Sequence, residues 1–201
     1  MHHQQIAAYE KRYVIQTHNG SLELILAQPK NISNPRFAII CHPDPQQEGS
    51  MFNKVVTTMT KTFYSHNIAA IRFNFRGVGQ STGPCGDKEG AIEDLKSVID
   101  WAQSTLGKQP YWLAGFSFGS FVSAACADQK DVIGLISIAP PIKHYNFNKI
   151  ENGIHCPWWM IHGTQDEVAA FDTTKTWAEH HKNVQLIPIE GSSHFFHGKL
   201  V

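Results

Sequence analysis

Between Tyr111 and Ala127 the sequence reads YWLAGFSFGSFVSAACA, and this stretch constrains the fold more than any other. An apolar run gives way to Gly115-Phe116-Ser117-Phe118-Gly119 and then at once to a second apolar stretch. A surface loop would be more polar, and neither a plain strand nor a plain helix accepts both glycines without cost. A buried strand that turns sharply into a buried helix accommodates every residue. In so tight a turn the positions two before and two after the serine approach each other, and only glycine avoids a clash. The serine is then forced into a strained backbone conformation above the helix N-terminus, where free N–H groups can stabilise negative charge.

The rest of the chain supports such a strand-to-helix context. Arg12–Ile15 and Leu22–Ala27 are extended segments with Asn19-Gly20 as a hairpin turn between them. Short apolar runs follow at Phe37–His42, Ala69–Phe75, Tyr111–Phe116, Val132–Ala139, Trp158–His162 and Val184–Ile189. Helical spacing occupies Met51–Ser65, Glu89–Leu106, Phe118–Ala127 and Asp172–His181; in the second of these, Ile92, Leu95, Val98, Ile99 and Ala102 share one face. Apolar strands alternating with helices predict an α/β fold with a mostly parallel sheet, helices on both faces and an N-terminal antiparallel hairpin. No repeat, low-complexity tract or linker divides the 201 residues, so a single domain over 1–201 is expected.

Charge narrows the partners. Lys+Arg and Asp+Glu are 17 each, so no basic surplus exists to neutralise phosphates, and neither a nucleic-acid nor a membrane partner is expected. The N-terminus MHHQQIAAYEKRYV has no signal-peptide pattern, and no run is long and apolar enough to span a bilayer. Cys41, Cys85, Cys126 and Cys156 are widely spaced without a C-x-x-C pair, which predicts free thiols and a cytoplasmic protein. His2-His3 and His180-His181 lack metal-ligand spacing, and no cofactor or metal is expected.

The turn at Ser117 has the G-x-S-x-G form of a nucleophile elbow. A serine hydroxyl needs a base, and the base an orienting acid. In this topology both follow the serine, each in the loop at a strand's carboxyl end. After Trp158–Ile161 comes His162-Gly163-Thr164-Gln165-Asp166-Glu167; after Val184–Ile189 comes Glu190-Gly191-Ser192-Ser193-His194. Asp166 is the candidate acid and His194 the candidate base, with Glu167 or Asp172 as rival acids and His197 as a rival base. Phe118 supplies one candidate oxyanion N–H. A second should come from Cys41-His42-Pro43-Asp44-Pro45, where the prolines have no N–H and Asp44 is the natural donor. His42 reads as a structural residue of that turn. Arg76-Gly77-Val78-Gly79-Gln80-Ser81 lacks the third glycine and the lysine of a phosphate loop and reads as a shaped turn.

With these residues in view, the chain resembles the α/β-hydrolase superfamily, and closely its small lidless bacterial branch of esterase-like and dienelactone-hydrolase-like proteins. The similar segments are CHPDPQQEGSMFNKVV, IRFNFRGVGQSTG, LAGFSFGSFVS, IAPP, IHGTQDEV and GSSHFFHG, in order over nearly the whole chain. The resemblance implies the α/β-hydrolase fold and hydrolysis by Ser117, His194 and Asp166. The resemblance itself does not specify the substrate; the leading reading is a carboxylesterase acting on small esters, with a serine peptidase or thioesterase as the alternative and a non-catalytic binding protein on the same scaffold as a third. Similar proteins often carry His where Asp44 stands. Dienelactone hydrolases proper use a cysteine nucleophile, and here that position is Ser117.

Two further expectations follow. Pro140–Pro157 is too short for a helical lid, so the site should be shallow and open. Similar hydrolases also continue past the histidine loop into a final helix, whereas Phe195–Val201 allows at most two turns. The face of the last strands should therefore expose apolar surface, covered by another copy of the chain in a homo-oligomer or by a rearranged N-terminal segment, and His194 should be less firmly held than in longer relatives.

Overall fold

The computed structural model describes residues 6–30 and 35–200. Strands β1 (Glu10–Thr17) and β2 (Gly20–Ala27) form the antiparallel hairpin. The others are β3 (Phe37–Cys41), β4 (Ala69–Phe73), β5 (Tyr111–Phe116), β6 (Val132–Ile138), β7 (Trp158–Gly163) and β8 (Val184–Ile189). They join one eight-stranded sheet in the order β1-β2-β4-β3-β5-β6-β7-β8. Every pairing from β4 through β8 is parallel, and β2 meets β4 antiparallel. The central β3 is buried throughout, as its unbroken apolar run FAIIC requires when both faces are covered.

The helices are α1 (Lys54–Ser65), α2 (Lys88–Leu106), α3 (Phe118–Ala125) and α4 (Phe171–Glu179). They divide the core in two. Leu95 and Val98 of α2, Phe121 and Val122 of α3 and Trp177 of α4 pack with Phe37, Ile39, Leu113 and Trp158 on one face. Val55, Val56, Met59 and Phe63 of α1 pack with Ala38, Ile40, Ala114 and Phe116 on the other. Trp158 and Trp159 follow the alternation of β7. Trp158 is buried and donates from Nε1 to Ser137 Oγ at 2.9 Å, while Trp159 lies against Trp112.

Several ends differ from the sequence expectation for local reasons. Helix α1 begins at Lys54 rather than Met51 because the Asn53 side chain caps the Val55 N–H. The Met51 N–H is instead taken by Asn74 Oδ1 at 2.8 Å. Strand β4 stops at Phe73 because Asn74 turns its side chain into that contact and toward Glu23. Arg76 folds back on the buried Asp94, with its Nε 2.9 Å from Oδ1, and so ties the turn after β4 to α2. At Gly79 a β-carbon would lie 2.4 Å from the Asn74 amide.

With α1 alone on its face, the far side of β6–β8 is incompletely covered. Ile136, Ile138, Ile161 and Ile189 line an apolar groove of about 300 Å³ with Met59 and Phe63 of α1. Residues 195–200 form turns rather than a helix, and they place the buried Phe196 and the partly buried Leu200 against this groove. Among the described residues no helix is long and apolar enough to cross a membrane. All four cysteines are free, and burial pushes the Cys126 thiol up to about 12.

Candidate functional site

The turn from β5 into α3 places Ser117 at φ 52° and ψ −121°, outside the regions that L-residues favour. Packing over-determines this conformation. The Ser117 N–H donates to Ile138 O at 2.8 Å, and Ser120 donates back to Ser117 O from both its N–H and its hydroxyl. A β-carbon on Gly115 would lie 2.1 Å from Gly119 O, and one on Gly119 would lie 2.4 Å from Cys41 O. Both glycines are therefore obligatory, the first for the turn itself and the second for the approach of the loop after β3. Ser117 is half-buried, with its hydroxyl directed to the histidine that follows β8.

His194 Nε2 is 3.1 Å from Ser117 Oγ, and its Nδ1 is 2.7 Å from Asp166 Oδ2. Asp166 Oδ1 accepts the N–H groups of Val168 at 2.9 Å and Ala169 at 2.7 Å. Burial alone would raise the Asp166 pKa. Hydrogen bonds from His162, His194 and the Ala169 N–H outweigh that and hold the carboxyl well below the usual range. An ionised carboxylate only accepts, so His194 carries its proton on Nδ1 and turns the Nε2 lone pair toward the Ser117 hydroxyl. This arrangement is suited to withdrawing a proton from the hydroxyl.

Of the rival residues, Glu167 contacts the histidine only through its backbone. Its Oε2 accepts the His194 N–H at 3.1 Å. Asp172 lies in the first turn of α4, and His197 meets the Phe195 ring; among the described residues neither bonds to His194 or Ser117. Although no helix follows it among the described residues, His194 is firmly anchored. His194 is 2% exposed, and its loop is stapled to the loop after β7 rather than to a terminal helix. Gln165 N donates to Ser192 O at 3.0 Å and Gly191 N to Thr164 Oγ1 at 2.9 Å. The loops approach so closely that a β-carbon on Gly163 would lie 2.3 Å from Ser192 O.

The loop after β3 crosses the elbow at Gly119. Among the described residues the N–H groups of Asp44 and Phe118 donate to no protein acceptor. The Asp44 carboxylate is engaged locally, accepting the Gln46 N–H at 2.9 Å. His42 fixes the loop. Its Nε2 accepts the Phe75 N–H at 3.1 Å, so Nδ1 carries the proton and donates to Pro43 O at 2.6 Å. Burial lowers the His42 pKa to about 4, from an ordinary value of 6.5. A depressed imidazole pKa contributes stability above the ordinary value, and that contribution is lost as pH falls from there through the folded value. Between pH 6.5 and pH 4 the loss should be about 3 kcal/mol. Urea unfolding at pH 7 and pH 4 checks this: His42→Gln should lose correspondingly less than the wild type, and equal losses would remove His42 as the cause.

His162 and Gly163 carry no role in the sequence reading, although they stand at the end of β7 beside Asp166. Their signal is the invasion of a buried strand end by a polar ring and a glycine. Among the described residues no cluster of three or more His, Cys, Asp or Glu is placed to hold a metal ion.

Comparison with known proteins finds the same fold. The family described as alpha/beta hydrolase domain matches residues 48–199. An α-β serine hydrolase homologue from Coxiella burnetii superposes with a TM-score of 0.90 at 39% identity, covering 98% of this chain and 94% of that one. A serine hydrolase without lid from Xanthomonas campestris gives 0.88 at 34% identity, over 97% and 90%. An uncharacterised protein of Rickettsia prowazekii is 29% identical over 177 residues, 83% of this chain and 74% of that protein.

Proposed function

Because the chain belongs to the α/β-hydrolase family, we propose that it is a serine hydrolase that cleaves small carboxylic esters through an acyl-enzyme on Ser117. The observation that carries this reading is the continuous relay from Asp166 through His194 to Ser117, at 2.7 Å and 3.1 Å.

In the proposed reaction His194 Nε2 takes the Ser117 proton as Oγ attacks the ester carbonyl. Asp166 keeps the imidazole in the required tautomer and stabilises its positive charge. The N–H groups of Phe118 and Asp44 receive the oxyanion, each lowering the barrier by about 3 kcal/mol when well placed. His194 then protonates the departing alkoxide, and the acyl group remains on Ser117. Water, deprotonated by the same imidazole, attacks the acyl-enzyme and releases the acid.

The segment between β6 and β7 contains only single-turn helices, at Phe147–Lys149 and Glu151–Gly153, and builds no lid. A shallow site buries little of a long acyl chain, which favours short or compact acyl groups. A panel of p-nitrophenyl esters, acyl thioesters and aminoacyl amides tests the reading. The expected result is fastest turnover of acetyl to butyryl esters. Preference for amides, or no turnover of any ester, would overturn it.

A further inference from the structure

We propose that His162 is a positioning residue for this reaction, holding the Asp166 carboxylate in the orientation that serves His194. The inference rests on the reading of the site given above.

His162 is the penultimate residue of β7 and is fully buried. Its Nε2 lies 2.7 Å from Ala169 O and 3.2 Å from Asp166 Oδ2. A carbonyl and a carboxylate both accept, so Nε2 carries the proton; it donates to Ala169 O and holds Asp166 Oδ2 at ion-pair distance. The other ring nitrogen, Nδ1, is buried without a hydrogen-bond partner. Leaving such an atom unpaired is destabilising, a cost that an apolar ring of similar shape would avoid. The bond to Ala169 O ties down the loop after β7, and Asp166 is the second group that this nitrogen meets. Phe171 of α4 meets its edge at 5.8 Å, Pro188 is its partner on β8, and Asp166 is the one charged group bonded to it among the described residues.

The grip has two consequences. Asp166 Oδ1 accepts two backbone N–H groups, and Oδ2 is bonded to His194 with His162 Nε2 3.2 Å away, so rotation of the carboxylate away from His194 is opposed from both sides. His162 also takes up part of the negative charge that would otherwise act on His194 alone. Removing it should loosen the alignment and strengthen the pull of Asp166 on the His194 proton.

His162→Phe and His162→Gln separate this role from packing. The phenylalanine variant should lose at least tenfold in kcat with KM little changed, and the acid limb of its pH profile should move to higher pH. The glutamine variant keeps an N–H donor and should recover most of both. Activity of His162→Phe within threefold of wild type with an unmoved limb would overturn the proposal. So would a loss with an unmoved limb that glutamine does not recover, because that is the signature of packing alone. Should the phenylalanine variant fail to fold, long-range ¹⁵N–¹H NMR of the wild-type protein decides. The proton of His162 is expected on Nε2, and a proton on Nδ1 would overturn the assignment. NMR reads His162 independently of turnover, so failure of ester hydrolysis and failure of this inference are distinguishable.

Discussion

Replacing Ser117 with alanine is expected to lower ester turnover by about three to six orders of magnitude while leaving the fold intact. The size follows from the way the proposed relay works: His194 and Asp166 act only through the serine oxygen, so its removal leaves only binding and oxyanion stabilisation. The fold survives because the conformation at this position is imposed by Gly115, Gly119 and the Ser117 N–H bond to Ile138, none of which uses the hydroxyl. Alanine at φ 52° carries the same strain as serine. Ser117→Gly should therefore abolish activity equally and raise stability by about 1 kcal/mol, because glycine accepts this conformation. Parallel measurements of kcat/KM and thermal unfolding check both statements. An alanine variant with a tenth of wild-type activity would mean that another group attacks the substrate.

Asp166→Asn is expected to cost about 10⁴-fold in kcat, because it exchanges the histidine tautomer. The N–H groups of Val168 and Ala169 both point at Oδ1, and only oxygen can accept them. The amide nitrogen of asparagine must then occupy the place of Oδ2, 2.7 Å from His194 Nδ1. It donates where the carboxylate accepted, so the histidine proton moves to Nε2 and faces the serine hydroxyl with no lone pair. The same nitrogen would confront the His162 Nε2–H, so stability should fall as well. Steady-state kinetics measure the loss, and NMR of the His194 ring nitrogens reports the tautomer. Retention of the Nδ1–H form with a small kinetic effect would contradict the account.

The members of the proposed relay were readable in the sequence because they stand in three strand-end loops, each announced by an apolar run. Strands β5 and β8 begin and end where the pattern changes, at Tyr111 and Phe116 and at Val184 and Ile189. Boundaries set by a distant side chain were not readable. Asn74 leaves β4 to bond Met51 N–H and Glu23, residues far from it along the chain. The anchoring of His194 was hidden for the same reason. A terminal helix was the local device to look for, whereas Glu167, Thr164 and Gln165 hold that loop across the gap between β7 and β8. His162 was invisible because a lone histidine at a strand end gives no hint of the carboxylate four residues on turning back to meet it.

The central claim is that Ser117 is a nucleophile activated by His194, and covalent labelling reads it directly. Incubation with a fluorophosphonate should add one phosphonyl group per chain, mapped by peptide mass spectrometry to Ser117. Neither Ser117→Ala nor His194→Ala should be labelled on the same timescale. Labelling of wild-type protein at any other residue, or none under conditions that label a control serine esterase, would contradict the account.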